Sequence, residues 1–307
     1  MQYTLFFITG KLNVNPDSDK APPIAMNSIS SLYIVSTPIG NLADITLRAI
    51  EVLKTVDFIA AEDTRHTARL LQHHNVNTRM ISYHDHSKQD RVEEILDHLR
   101  EGKNIALVTD AGTPLISDPG YKLVVCARNA GITVTPIPGA SALMAAVSVA
   151  GLPTDRFVFE GFLPAKQLAR KKRLEEISQE IRTLVFYESP HRVLACLQDM
   201  SSVLGSDREV VVARELTKTF ETVYKNTLSE LLLWMENDPN QQRGEFVLVV
   251  NGNKEKPGAE IGLDEDHILD ILLQELSVKQ ASSLTAKLTG GNKKTLYRVA
   301  VKKKQSS

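Results

Sequence analysis

LVTDAGTPLISDPG, residues Leu107 to Gly120, is a β-rich apolar run that stops in a loop holding two glycines and two prolines, after which the spacing turns helical. The same pattern is written twice more, as IVSTPIGN (Ile34 to Asn41) and as PIPGASA (Pro136 to Ala142). A strand that ends in a Gly/Pro turn and gives way to a helix is the repeating unit of an open α/β sheet. Such a sheet binds its ligands in the loops at the carboxyl ends of its strands. Three such loops on successive strand ends mark that edge as the place where function is expected.

Outward from these loops, strand and helix alternate. The spacing predicts strands at Leu32–Ser36, Val56–Ala60, Met80–Tyr83, Ile105–Thr109 and Thr133–Ile137. Helical patterns fill the gaps at Ile45–Leu53, Ala68–His74, Asp90–Arg100, Tyr121–Ala130 and Ala140–Val149. This order predicts a mostly parallel sheet covered on both faces. GLPTD (Gly151 to Asp155) reads as a linker. Beyond it come a strand in RFVFEGFLP (Arg156 to Pro164), a basic helix over Lys166–Ile181, and strands at Thr183–Tyr187, Glu209–Ala213, Glu221–Tyr224 and Glu245–Val250, with helices at His191–Leu204 and Leu228–Glu236. Between Val210 and Val250 there is little room for crossovers, so this second sheet is expected to be mixed. The fold class is therefore α/β, with two α/β domains (31–151 and 152–253) and a small basic helical module over 262–307.

That last piece differs in charge. Acids dominate Glu255 to Glu275, whereas Leu276 to Ser307 holds eight Lys or Arg and no acid. Two short helical patterns, Gln280–Leu288 and Lys293–Val301, flank Gly290-Gly291-Asn292. Two helices about a Gly turn on a basic surface suit a helix-turn-helix-like nucleic-acid contact, and the alternative is a solvated basic tail. Residues 1–30 are expected to be a disordered or weakly ordered extension, with Met26 as an alternative start because the first clear strand begins just after it; the apolar stretch Tyr3 to Thr9 lacks the basic flank of a signal peptide.

The 307 residues are 24% charged and 42% hydrophobic with a net charge of −1, an ordinary globular composition without a global field that would announce a polyanionic partner. No apolar run reaches membrane-spanning length. The two cysteines, Cys126 and Cys196, lie far apart without metal spacing, which disfavours a disulfide framework or zinc site and favours a reducing cytoplasm. No metal is expected. GxGxxG, GxxxxGK[ST], HExxH and GxSxG are all missing from the sequence, so nicotinamide-cofactor, P-loop, metalloprotease and nucleophile-elbow readings lose their support.

Each chemistry-bearing stretch has a bland alternative. In DAGTPLISDPG, Asp110, Gly112 and Thr113 form a rigid loop whose main chain could meet a ligand. Equally, Ser117 or Asp118 could simply cap the next helix. AAEDTRHTARLL (Ala60 to Leu71) places Glu62, Asp63, Arg65 and His66 just past a strand, as a substrate site would. Capping by Asp63 or Thr64 is the plain alternative. SYHDHS (Ser82 to Ser87) carries His84, Asp85 and His86. FYESPHRV (Phe186 to Val193) carries Glu188, His191 and Arg192, with Ser189 as a possible cap and Pro190 in a first helical turn. ARELTKTFE (Ala213 to Glu221) adds Arg214, Glu215 and Lys218, and RGEFVLVV (Arg243 to Val250) adds Gly244 and Glu245.

Together TPIGNL, AEDTR, SYHDHS, DAGTPLISDPG, PGASA, GFLP, FYESPHR, RELTK and RGEFV resemble, in this order, the tetrapyrrole methylase superfamily of class III S-adenosylmethionine-dependent methyltransferases. The resemblance is closest to the branch that methylates small-subunit ribosomal RNA, and KQASSLTAKLTGG resembles that branch's C-terminal module. It covers residues 31–302. It implies S-adenosylmethionine held in a cleft between two α/β domains, a homodimer, and methyl transfer to the ribose 2′-hydroxyl of a cytidine in 16S rRNA. Carried over motif by motif, it implies cofactor contacts from Pro38, Gly112, Thr113 and Ile116, from Ser141 and Ala142, and from Tyr187, Leu216 and Glu245 within the Gly244–Phe246 strand. Asp110 shapes that loop or meets a ligand. Thr113 stands where many small-molecule members have Asp, which favours the RNA branch. The candidates for a base that takes the hydroxyl proton are Glu62, Asp63, His66, His84 and Glu188. Arg65, Arg192 and Arg214 would bind phosphate, with His66, His84, His191, Lys293, Lys294 and Arg298 beside RNA. Two rivals remain: a methylase of a tetrapyrrole precursor, and a ribosome-binding protein without activity on the same fold.

Overall fold

The computed structural model describes residues 30–83, 89–253 and 265–306, with only the backbone at positions 89, 305 and 306. The expected N-terminal extension, apart from Ser30, and the candidate His84 lie outside the described residues. The chain divides into two compact units: one runs up to Ala145 and includes Leu216–Phe220, and the other takes Ala146–Glu215 and everything from Glu221 onward. Gly151–Asp155 thus lies within the second unit.

The first unit is a five-stranded sheet, β1 (Ser31–Val35), β2 (Phe58–Ala61), β3 (Met80–Ser82), β4 (Ile105–Val108) and β5 (Thr133–Ile137), in the order β3-β2-β4-β1-β5. Every pairing is parallel. Helices α1 (Leu47–Thr55), α2 (Thr64–His73), α3 (Gln89–Arg100) and α4 (Tyr121–Asn129) alternate with the strands, and α5 (Ala142–Val149) begins in this unit and ends in the second. The two-residue period of the strands divides their side chains between two cores. Tyr33, Val35, Ile59, Ala61, Ala106 and Val108 pack with Val52 and Leu53 of α1 and Leu70 and Leu71 of α2. Leu32, Ala60, Ile105 and Leu107 pack with Ile95 and Leu99 of α3 and Leu123 and Ala127 of α4. From β1 the chain moves two places one way to β2, and from β4 two places the other way to β5. The switch point is the carboxyl end of β1 and β4, where two of the three Gly/Pro loops begin.

Helix starts shift where a side chain caps. The spacing predicted α2 from Ala68, but Asp63 accepts the amide of Arg65, so the helix begins at Thr64. Thr46 caps α1 through the amide of Ala49, two residues later than Ile45.

The second unit is the expected mixed sheet: β6 (Phe157–Phe162), β7 (Thr183–Glu188), β8 (Glu209–Arg214), β9 (Thr222–Thr227) and β10 (Phe246–Val250), ordered β6-β7-β10-β8-β9. Only β6 and β7 pair in parallel. Helices α6 (Gln167–Glu176), α7 (Val193–Leu204) and α8 (Leu228–Asn237) cover one face. There Leu174, Leu197, Met200, Leu231 and Met235 pack on Leu184, Phe186, Val210, Val212 and Leu248.

Three C-terminal helices close the described chain: α9 (Glu265–Glu275), α10 (Val278–Thr289) and α11 (Lys293–Ser306). Leu269, Ala281, Leu296 and Ala300 form their core. Ser277 and Gln280 make a capping box at the start of α10, and Gly290 ends it in the left-handed conformation with φ 77°. The Gly turn is where the spacing put it. Helix α9 was not foreseen: acids hid the stripe of Leu269, Leu272, Leu273 and Leu276, and two of them, Asp266 and Asp270, hold Lys303 of α11 at 3.1 and 2.7 Å.

Candidate active site

The loops after β1, β4 and β5 are tied into one knot. Thr37 and Gly112 exchange backbone hydrogen bonds of 2.9 and 3.1 Å, and the Thr37 hydroxyl donates to the Thr109 carbonyl at 3.2 Å. Thr113 Oγ1 donates to the Ala140 carbonyl at 3.1 Å and lies 2.9 Å from Ser36 Oγ. A carbonyl only accepts, so the Thr113 proton points to Ala140 and Ser36 donates to Thr113. One hydroxyl thereby links all three loops. Replacing Thr113 with valine keeps the volume and strands the Ala140 carbonyl. The bond is part-buried, so the expected loss is about 0.5–1.5 kcal/mol in the unfolding free energy, and no measurable change would show the linkage to be incidental.

Asp110 Oδ1 accepts the backbone N–H of Asp63 at 3.0 Å, which fastens the loop after β2 to the same knot. Of the two roles left open for Asp110, loop shaping is the one visible in the structure. The loop beyond it holds unusual backbone: Leu115 and Ser117 sit at φ 73° and 65°, alongside Gly112 at 85° and Gly120 at 133°. Left-handed non-glycine residues store strain and gather at functional sites. Between them Ile116 is 37% exposed, an apolar side chain offered at the strand ends. The N-cap position of α4 is Gly120, not Ser117 or Asp118. The chain turns into the helix on a glycine at φ 133°, two or three residues after the expected cap.

At the end of β2, Asp63 is both N-cap and ion-pair partner. Its carboxylate takes the amide of Arg65 at 2.8 Å, its Nε at 3.2 Å and its Nη2 at 2.8 Å. The guanidinium hydrogen bonds, then the amide of Arg65, hold this carboxyl far below the usual range. Arg65 and His66 are exposed on the first turn of α2, and Glu62 is half-buried behind them.

In the second unit, Glu188 ends β7 with its side chain fully buried. It accepts the Ser189 amide at 2.8 Å and faces Arg192 Nε at 3.3 Å. Arg192 Nη2 also donates to the Leu163 carbonyl at 2.5 Å. Burial, with Glu188 nearby, pushes the Cys196 thiol far above its ordinary value and keeps it inert. Ser189 does not cap α7: Ser189–Arg192 forms a turn, and the helix begins at Val193, two residues after the predicted His191. His191 is exposed on that turn.

Arg214 is only 8% exposed. It donates to the carbonyls of Arg243 at 3.0 Å and Asn240 at 3.4 Å and to the Thr222 hydroxyl at 3.3 Å. Its guanidinium is held by two main-chain carbonyls and a hydroxyl, partners that charge type alone could not reveal. Glu215, at φ 51°, exchanges contacts with Glu245: each backbone N–H reaches the other residue, at 3.0 and 2.9 Å. RELTK and RGEFV are thus joined, with Leu216 buried and Glu245 exposed. Pro38 is buried in the first loop, while Ser141 and Ala142 are half-buried at the start of α5. On α11, Lys293, Lys294 and Arg298 are exposed as expected. Tyr297, 45% exposed among them, escaped the sequence reading, although a tyrosine inside a lysine-arginine run was the available signal. Among the described residues, no group of three or more His, Cys, Asp or Glu side chains could hold a metal ion, and no helix is long and apolar enough to cross a membrane.

Residues 31–232 match the family model of the Tetrapyrrole (Corrin/Porphyrin) Methylases, and residues 259–304 match the RsmI C-terminal HTH domain. A protein of Escherichia coli O157:H7 named ribosomal RNA small subunit methyltransferase I is 54% identical over 277 residues, covering 90% of this chain and 96% of its own. One of the same name from Synechocystis is 48% identical over 273 residues, covering 88% and 97%. Among solved structures, cobalt precorrin-4 methyltransferase superposes with a TM-score of 0.52 at 18% identity, over 72% of this chain and 94% of its own. Diphthine synthase does so with a TM-score of 0.52 at 16% identity, over 72% and 90%. Identities that low speak for the fold alone. The ordered motifs, the two sheets and the full-length likeness together place this chain in the tetrapyrrole methylase family, within its branch of ribosomal RNA small subunit methyltransferases I.

Proposed function

We propose that this chain transfers a methyl group from S-adenosylmethionine to the ribose 2′-hydroxyl of a cytidine in 16S rRNA, as a cytoplasmic homodimer. The observation that carries this reading is one chain joining a rigid loop knot at a sheet's switch point to a basic helical module of the RsmI type. The loop fits the cofactor. At Gly112 a Cβ would stand 3.4 Å from Ile39 and 3.9 Å from the Ala140 carbonyl oxygen, so the loops close tightly there, and Ile116 of the same loop offers exposed apolar surface. Thr113 brings no charge to oppose or trap a substrate. The residues proposed to hold the cofactor are Pro38, Gly112, Ile116, Ser141 and Ala142, with Tyr187, Leu216 and Glu245. Asp110 and Thr113 position them.

When bound, the cofactor supplies an electrophilic methyl on a sulfonium. The residues of this chain must place a weakly nucleophilic hydroxyl in line with it, and placement alone is worth up to about 7–11 kcal/mol of barrier. Asp63 and Glu188 are proposed as positioning residues: one caps α2 and orients Arg65, and the other fixes Arg192. A carboxyl held that far down is a weak base, which leaves Glu62 and His66 as the nearer candidates for the proton. RNA would be met by Arg65, His66, His191 and Arg192 at the strand ends and by Lys293, Lys294, Tyr297 and Arg298 on α11. Exposed Tyr121 and Val125 on α4 and Met144 on α5 offer apolar surface for a second copy.

Calorimetry is expected to show S-adenosylmethionine binding. Ribose-methylation mapping of 16S rRNA is expected to lose one cytidine modification in cells without this protein. An intact modification map overturns the substrate, and methylation of a tetrapyrrole precursor instead would establish the rival chemistry.

A further inference from the structure

The edge strand β6 carries a bulge. Phe159 stands opposite Val185, but Gly161 stands opposite Phe186 and Phe162 opposite Tyr187. Residues three apart on a regular strand point to opposite faces. The extra residue at Glu160 resets the alternation, so Phe159 and Phe162 share the Val185–Tyr187 face. Both rings meet Tyr187 edge-on, at 4.9 and 5.7 Å between centroids. The helix-covered core takes the alternate residues Leu184 and Phe186, so this aromatic group lies on the other face. There Phe162 is 52% exposed.

The segment that follows Phe162 is firmly held. Arg192 donates to the Leu163 carbonyl and is fixed by Glu188. Arg170 donates to the Ala165 carbonyl at 3.1 Å and is fixed by Asp199 at 2.6 Å. Two arginine–carboxylate pairs with buried carboxylates thus pin the two carbonyls that flank Pro164. At the same strand ends stand the exposed Lys166 and His191 and the partly exposed Arg192. A preorganised open ring beside the Lys166 and Arg192 cations, with His191 as a further hydrogen-bonding group, matches the chemistry of a single-stranded nucleic acid: a base stacks on the ring and phosphates meet the charges.

We propose that Phe162 is the platform on which an unpaired base of the RNA substrate stacks, with Lys166, His191 and Arg192 meeting the flanking phosphates. This rests on the ribosomal RNA reading above and assigns that substrate a surface. An unpaired nucleotide has its base free to stack, and a ring backed by Tyr187 supplies a stacking surface that tolerates any base.

The test compares Phe162→Leu, which keeps the apolar contact with Tyr187 but has no ring face, with Phe162→Tyr, which keeps one. The probe is the small ribosomal subunit lacking the methyl group, with S-adenosylmethionine binding measured in parallel. Leu is expected to weaken RNA affinity about tenfold, from the loss of one stacked base, and to leave cofactor affinity unchanged. Tyr restores most of the loss. Lys166→Ala, a surface change, is expected to reduce the slope of log affinity against log salt by about 1. Wild-type RNA affinity in Phe162→Leu overturns the platform, and so does a matching fall in cofactor affinity, which would put adenine on the ring instead. Failure of the function reading looks different, since wild-type protein would then leave 16S rRNA unmethylated.

Discussion

Replacing Asp199 with alanine is expected to destabilise the second unit by about 3–5 kcal/mol, the cost of leaving a buried cation without its partner. Asp199 and Arg170 expose 3% and 5% of their side chains. Asp199 Oδ2 takes both Arg170 Nε at 2.8 Å and Nη2 at 2.6 Å, while Oδ1 takes Gln167 Nε2 at 3.0 Å and lies 3.6 Å from Lys171 Nζ. Without the carboxylate, the guanidinium keeps only the Ala165 carbonyl in a site closed to water. The single tryptophan, Trp234, reports on this unit, stacked on Tyr224 at 4.5 Å. Urea unfolding followed by its fluorescence gives the number. The pair Arg170→Met with Asp199→Leu removes both charges and is expected to cost far less than the single change, because desolvating an ion pair consumes most of its Coulombic gain. A loss below about 1 kcal/mol in Asp199→Ala would mean that water reaches the arginine.

That pair also marks where sequence reading stops. A basic helix was legible over Lys166–Ile181, although α6 spans only Gln167–Glu176, and His191–Leu204 was legible as a helix with polar members, because period and composition are local. Nothing local says that Arg170 turns inward to meet a residue 29 positions away. The same limit explains Arg214, whose charge suggested phosphate but whose carbonyl partners come from Asn240 and Arg243. It also explains Phe162. A bulge is a statement about two strands, and regular alternation would have sent this ring to the opposite face from Phe159. In α9 the acids that pair with Lys303 drowned the leucine stripe. The parallel sheet was easier, because each of its strands is a short apolar run closed by a Gly/Pro turn, and the residues that end a strand are adjacent in sequence to those that build its loop.

The candidate site was legible to the same degree. That TPIGN, DAGTP and PGASA gather at one edge follows from strand direction, and the structure brings them together through Thr37, Gly112, Ser36, Thr113 and Ala140. The individual jobs were not legible, since a hydroxyl or carboxylate shows its chemistry in sequence but not its partner. Asp110 is the clear case: it had the look of a ligand, and one of its oxygens holds the amide of Asp63.

The close fit of these loops makes Gly139→Ala the substitution with the largest expected effect on activity, a fall of about 100-fold in kcat/KM, as for a 1 Å misplacement of positioning groups. A Cβ at position 139 would stand 2.8 Å from Ser36 Cβ and 3.5 Å from the Ser36 carbonyl oxygen. Ser36 Cβ is attached directly to the backbone, so no flexible side-chain end can swing aside, and the loop after β1 must move. Ser36 donates its N–H to Ile137 at 3.3 Å and its hydroxyl to Thr113, so displacing it loosens the loops after β1, β4 and β5 together. The proposed cofactor residues on those loops, Pro38, Gly112, Ile116, Ser141 and Ala142, would lose their common geometry while the cores behind them stay packed. Calorimetry is therefore expected to show S-adenosylmethionine affinity falling steeply, with the urea midpoint moving much less. The steric cause has its own control. Ser36→Gly removes the atom that the new methyl meets, so the double variant should recover cofactor affinity relative to Gly139→Ala, even though it lacks the Ser36 hydroxyl. Cofactor affinity within twofold of wild type in the single variant would show that the knot does not position the ligand.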